Sequence, residues 1–367
     1  MCSGTLGTSM ATNDAPDLGV ELDLGGRVVG EGHAPYVIAE VSANHGGSLV
    51  TAERIVRLAA EAGADAVKLQ TYTPDSMTLD LAEPPFVVGE GTLWAGRTLY
   101  DLYEEAQTPW EWHEPLFGLA SSLGLACFST PFDRSAVDFL EQFDPPAHKI
   151  ASFELLDLEL IRHAASTGRP LIISTGMATA DEIDDAMQAA SDGGAGGIVL
   201  LRCNSAYPAN PAEMDLCTIP EMARRWHVPI GLSDHSPGSM AAVVAAGLGA
   251  CVFEKHLIAA RSDGGPDAAF SAEPAELAAM VADLRTAADV RGSVRFGPST
   301  SEEASLAFRR SLYVVTDLAK GEVFTTDNVR AIRPAGGMAP KRLAEVLGKR
   351  AGDPIRRGTP LTNDLVS

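Results

Sequence analysis

The feature of this sequence that most restricts its fold is a repeating rhythm. From Tyr36 onward a short β-prone run, a polar or glycine-containing end and an amphipathic helix-like stretch recur eight times. The runs are Tyr36–Ser42, Ala66–Thr71, Leu125–Thr130, His148–Ser152, Leu171–Gly176, Ile198–Cys203, Ile230–Asp234 and Cys251–His256. Apolar residues at helical spacing fill the gaps, as in Thr51–Ala62, Ala136–Phe143, Asp157–Thr167, Thr179–Ser191 and Ala272–Ala288. Runs that are apolar along their length suit strands covered on both faces, and strands joined by helices lie parallel. Eight such units over about 250 residues predict a (β/α)8 TIM barrel. A doubly wound sheet is the competing arrangement, but it does not usually need eight units of this regularity.

The 367 residues leave room for more than a barrel. Residues 1–18 are polar and small, without the basic and apolar regions of a secretory signal, and read as a disordered tail. The barrel domain is expected over 19–290, opening with a β-hairpin in which Glu21 to Val29 alternates about Gly25-Gly26. Residues 291–306 carry Gly, Ser and Pro and read as a linker. Residues 307–367 break into short β-prone pieces separated by glycines and read as a small β-rich domain. The long stretch Tyr72–Gln107 after the second strand carries Trp94, Tyr100 and Tyr103. It is either a lid or specificity loop, or a cover over the barrel rim.

Composition narrows the partners. Lys and Arg number 28 against 49 Asp and Glu, a net charge of −21, which argues against nucleic acid and anionic membranes. No apolar run approaches membrane-spanning length. The five cysteines show no close spacing and three lie in apolar strand-like runs, so reduced, buried thiols in a cytoplasmic protein are expected.

In a TIM barrel the strand C-termini face one rim. Here they bring Glu40, Lys68, Gln70, Thr130, Lys149, Ser152, Glu154, Ser174, Ser205, Tyr207, His235, Glu254 and His256. A lysine inside an apolar strand needs an anion beside it. Lys68 and Lys149, with serine and threonine hydroxyls around them, suit the phosphate and carboxylate of one small ligand, or internal pairs with Glu40 or Glu154. A Schiff-base lysine is the alternative chemistry. His235 and His256 end consecutive strands at equivalent places, which suits a divalent transition metal with open positions. Asp234, Glu40 and Asp267 are the carboxylates expected near them at the rim, as ligands, bases or orienting groups.

These residues also carry a resemblance. Ile38-Ala-Glu-Val-Ser-Ala-Asn-His45, Ala64 to Thr71, Phe128-Ser-Thr-Pro-Phe132, Lys149 to Glu154, Ser174-Thr-Gly-Met177, Gly231 to His235 and Glu254-Lys-His256 resemble the sialic acid synthase family. Phe308-Arg-Arg-Ser311, Lys320-Gly321 and Ile332-Arg-Pro334 resemble its antifreeze-like (SAF) domain. Gly336-Gly337-Met338 departs mildly from the family's usual Gly-x-Gly-Ile. Trp94, Leu99 to Tyr103, Thr108-Pro-Trp-Glu-Trp-His113 and Ser205-Ala-Tyr-Pro208 are similar to the pseudaminic acid synthase branch. The resemblance implies condensation of phosphoenolpyruvate with a 2,4-diacetamido-6-deoxy hexose, without a Schiff base, in a domain-swapped homodimer. It implies a divalent metal (Mn2+, Mg2+ or Co2+) on His235 and His256. Lys68, Thr130, Lys149, Ser152, Ser174 and Ser205 would hold phosphoenolpyruvate, and Glu40, Tyr207 and Asp267 would meet the sugar. Arg333 would enter the partner subunit's site. Glu154, then Glu40, is the expected proton-handling carboxylate. The alternatives are an N-acetylneuraminate or legionaminate synthase, a lysine aldolase, and a non-catalytic carbohydrate-binding protein.

Overall fold

A computed structural model describes residues 21–367, so the expected tail 1–18 lies outside the described residues. The chain divides into two compact units, with the boundary between Gly292 and Ser293. In the first unit a hairpin of β1 (Glu21–Asp23) and β2 (Val28–Gly30) turns on Gly25 and Gly26, both at positive φ. Eight parallel strands follow: β3 (Tyr36–Glu40), β4 (Ala66–Thr71), β5 (Ala126–Pro131), β6 (His148–Ile150), β7 (Leu171–Ser174), β8 (Ile198–Cys203), β9 (Ile230–Asp234) and β10 (Val252–His256). They close into a barrel in sequence order, with β10 pairing with β3. Every strand is followed by at least one helix, from Leu49–Ala62 after β3 to Pro274–Arg291 after β10. The TIM barrel read from the rhythm is the observed fold. Its strands end two residues earlier than expected at β3, β6 and β7, where the chain already turns into the rim loops.

Alternation along the strands sorts the side chains into two cores. Outward residues such as Val37, Ala39, Val67, Leu69, Ile230, Leu232 and Phe253 pack beneath the helices. Inward residues in the lower barrel, including Tyr36, Ile38, Phe128, Ile172, Val199, Leu201 and Val252, form a second apolar cluster. Leu24 and Val29 of the hairpin join that cluster, and the Tyr36 hydroxyl donates to the Leu24 carbonyl at 3.2 Å, so the hairpin plugs the lower end. One step further along each strand the interior turns polar. Glu40, Lys68, Gln70, Thr130, Lys149, Ser174, Cys203, Ser233 and Glu254 continue the inward faces of their strands.

The second unit is small. β11 (Ser311–Val314) and β12 (Val329–Ile332) pair antiparallel, and single bridges such as Leu318–Ile355 and Val323–Arg350 tie the remaining turns together. Its core holds Leu312, Val314, Phe324, Val329, Val346, Ile355 and Leu361. The stretch expected as a linker is irregular only at its start, because 3-10 turns run through Thr300–Phe308.

Close packing leaves several glycines with no room for a side chain, Gly231 among them. Gly231 faces into the barrel on β9, and a Cβ there would overlap the Val252 carbonyl oxygen and the Leu201 side chain. Gly231→Ala is expected to destabilise the fold by about 1–3 kcal/mol through overpacking, read as a lower denaturant midpoint.

Candidate active site

Above the polar layer lies a cavity of about 880 Å³. Its floor is the strand ends, and its outer wall is the segment after β4, with Tyr72, Met77, Leu93, Trp94, Leu102 and Tyr103 lining it. The Trp94 indole Nε1–H donates to the Pro266 carbonyl at 3.0 Å, fastening this wall to the loop behind β10. The stretch left open as lid or cover thus forms a side of the cavity. Twelve of the nominated residues line it: Lys68, Gln70, Thr130, Lys149, Ser152, Glu154, Ser174, Ser205, Tyr207, His235, His256 and Asp267. Glu40 is fully buried and outside the lining, where it pairs with Lys68. Arg333 is carried by the C-terminal unit, exposed just past β12.

The two lysines are served differently. Lys68 forms an ion pair with Glu40, lies 3.7 Å from Glu254 and donates to Thr130 Oγ1 at 3.0 Å. Burial opposes its charge, but Glu254 and Glu40 outweigh that and raise its pKa. Lys149, only 1% exposed, donates to Ser174 Oγ at 2.6 Å and to the Ile150 carbonyl at 2.8 Å. Among the described residues no carboxylate lies within ion-pair distance of it. Burial depresses its pKa, with Glu254 too distant to compensate fully. A buried ammonium ringed by neutral groups is a seat for an anion. Beside it the Gly176 amide donates to Ser152 Oγ at 3.1 Å, and a Cβ at Gly176 would overlap Ser205 Oγ. Glycine at that position lets the backbone approach the Ser152 and Ser205 hydroxyls and the Cys203 thiol.

Opposite lie the imidazoles, their ring centroids 5.4 Å apart. His235 Nδ1 faces the Asn204 carbonyl at 2.9 Å, a contact that fixes the tautomer and leaves Nε2 uncommitted. His256 Nδ1 is buried without a hydrogen bond, and Asp267 Oδ2 lies 3.8 Å away. Burial first, then the His235 charge, drives His256 well below the usual imidazole range, so it is neutral and able to ligate. No group of three or more His, Cys, Asp or Glu side chains is assembled for a metal among the described residues. Two imidazoles with free ring nitrogens still fit a divalent ion whose other ligands come from water and substrate.

Strand parity corrects one reading, keeps Glu254 on the rim and adds a residue read only as apolar filler. Asp234 points outward, where Lys255 donates to its Oδ2 at 2.8 Å and Ser236 Oγ to its Oδ1 at 2.6 Å, so it is a structural anchor outside the cavity. Glu254, two residues before His256 and on the same face, lines the cavity instead. Burial pushes its carboxyl up, and Lys68, Lys149 and His235 together hold it below the usual range. Cys203 ends β8 on the inward face, 3.8 Å from His235 Nδ1, so it is a cavity thiol as well as an apolar filler. Both follow from counting in twos along the strand.

Glu154 sits in a 3-10 turn after β6, with Oε2 buried and without a partner. Burial raises its pKa to about 7, against the pull of Lys149. Since the folded pKa exceeds the unfolded one, the folded state holds the extra proton between roughly pH 4.5 and 7. Stability falls across that window as pH rises. Glu154→Gln is expected to flatten this fall, measured as the denaturant midpoint against pH.

A sequence profile of the NeuB family matches residues 55–295, and one of the SAF domain matches 309–367. Pseudaminic acid synthase of Campylobacter jejuni is 42% identical over 326 residues, spanning 89% of this chain and 95% of that protein. Pseudaminic acid synthase of Helicobacter pylori is 42% identical over 332 residues, spanning 90% and 97%. Among solved structures, N-acetylneuraminic acid synthetase of Leptospira borgpetersenii matches with a TM-score of 0.70 at 30% identity, covering 78% of this chain and 95% of that one. With its closed barrel, its polar rim and an SAF domain behind them, this chain belongs to the NeuB family.

Proposed function

We propose that this chain is a pseudaminic acid synthase, a transferase that condenses phosphoenolpyruvate and water with 2,4-diacetamido-2,4,6-trideoxy-L-altrose, giving pseudaminate and phosphate. The observation that carries the choice of sugar is the 42% identity to two pseudaminic acid synthases along nearly their whole length. The cavity chemistry agrees with the co-substrate. Lys149, Ser152, Ser174 and Ser205 hold the phosphoenolpyruvate phosphate, and Lys68 with Thr130 holds its carboxylate. Fixed in this way, C3 of phosphoenolpyruvate faces the open-chain aldehyde held near Tyr207 and Asp267. Carbon–carbon bond formation puts cationic character on C2. Water adds there and phosphate leaves with C–O cleavage. Glu154, with its pKa near neutrality, handles the proton of that water, while the Glu40–Lys68 pair beneath fixes the floor. His235 and His256 would hold a divalent ion (Mn2+, Mg2+ or Co2+), which when bound would supply Lewis-acid chemistry toward the aldehyde. No lysine needs to become a Schiff base.

The working form is a homodimer in which Arg333 enters the site of a second copy. Charge supports this reading. The first 292 residues hold 16 Lys and Arg against 41 Asp and Glu, whereas the last 75 hold 12 against 8. A basic C-terminal unit suits an acidic barrel. The unpaired, buried thiols Cys127, Cys203 and Cys251 support a reading of the enzyme as cytoplasmic. Among the described residues no helix is long and apolar enough to cross a membrane.

Phosphate release from phosphoenolpyruvate, measured with a panel of diacetamido hexoses and N-acetylmannosamine, tests the assignment. The 2,4-diacetamido-L-altrose derivative is expected to be the best substrate, with activity lost in chelator and regained with Mn2+ or Co2+. Preference for N-acetylmannosamine would overturn the sugar, and full activity in chelator would overturn the metal. Co-expressing Lys149→Met with Arg333→Ala chains tests the shared site. Each variant alone is expected to be nearly inactive, and mixed dimers to regain about a quarter of wild-type activity, one intact site in half of the dimers. No recovery means that Arg333 does not act in the partner's site.

A further inference from the structure

Ser42 is the second residue after β3 and lies on the cavity wall, 2% exposed. Its φ is +47°, a left-handed conformation that glycine takes freely and an L-residue only at a cost. A strained serine in such a place points to work for its hydroxyl. That hydroxyl has one proton, and it goes to Asp267 Oδ2 at 2.5 Å. The Ser42 oxygen in turn accepts from Gln70 Nε2 at 3.0 Å, and Gln70 Nε2 also donates to Glu40 Oε1 at 3.2 Å. Glu40, Gln70, Ser42 and Asp267 thus form one hydrogen-bonded chain from the barrel floor to the loop behind β10, with Gln70 donating to both sides. The Ala43 amide adds a long contact to the same Asp267 oxygen at 3.4 Å. Asp267 Oδ1 has no protein partner and is not among the sealed polar atoms, so it is the acceptor left open to the cavity.

We propose that Ser42 is a positioning residue for the sugar: by donating to Asp267 Oδ2, it aims Oδ1 at a hydroxyl or amide N–H donor of the bound hexose. Resting on the synthase reading above, this assigns Ser42 a share of sugar recognition and none of phosphoenolpyruvate binding. The seat of the phosphate, at Lys149 and Ser174, is reached from other strands and shares no hydrogen bond with Ser42.

The test compares Ser42→Gly and Ser42→Ala with the wild type, using whichever sugar the wild type condenses. A wrong sugar assignment then changes the assay substrate for all three proteins and leaves the comparison intact. Both variants lose the hydroxyl, and only Ser42→Ala keeps the strained φ, so Ser42→Gly is expected to unfold at the higher temperature of the two. In both, KM for the sugar is expected to rise about tenfold, the scale of one charge-assisted hydrogen bond, with KM for phosphoenolpyruvate within about twofold of wild type. Sugar KM within about twofold of wild type in the two variants overturns the proposal. So does a parallel rise in both KM values, which would mark a general loosening of the rim.

Discussion

Everything in the upper barrel depends on how two buried ammonium groups are neutralised. Charge inside a protein is tolerated when it is paired and hydrogen-bonded, and it is costly otherwise. Lys68 satisfies that condition within the protein, held by Glu40, Glu254 and Thr130. Lys149 does not, because its neighbours are a hydroxyl and a carbonyl. The asymmetry separates a cation already paired within the protein from one with no carboxylate beside it. It also explains the layer beneath. Below the charged residues the interior is apolar and plugged by Leu24 and Val29, so water does not reach the floor from below and weaken the field there.

The same economy of position governs the imidazole side. His235 and His256 have no carboxylate within hydrogen-bonding reach, and burial keeps His256 neutral. Two rings facing a cavity beside a buried cation suit the two halves we propose, one for an anion and one for a divalent ion. Preorganised groups of this kind act without reorganising during the reaction, which is where most electrostatic catalysis originates. The wall fastened by Trp94 to Pro266 encloses both halves and strengthens every charge interaction inside.

Much of this was legible before any coordinates. The eight-unit rhythm determined the barrel, because parallel strands joined by helices have few other ways to bury eight apolar runs. The polar strand ends pointed to Lys68, Lys149, His235 and His256 for the same reason. Glu254 and Cys203 were within reach of the sequence too, since a two-residue period puts Glu254 on the face of His256 and turns Asp234 away with Lys255. Glu254 already stood on the expected rim, and what hid Cys203 was reading it as apolar filler of its strand.

Sequence alone therefore determined the fold class, the rim on which chemistry is placed and the residue types gathered there, because these follow from local periodicity. Only the tertiary structure decided how those residues pair. That Lys68 and not Lys149 takes the carboxylates, that Glu40 lies beneath the cavity, and that Ser42 carries a strained backbone to meet Asp267 are outcomes of closure. β10 meets β3 only when the barrel shuts, and contacts between residues more than two hundred positions apart have no signature in local sequence.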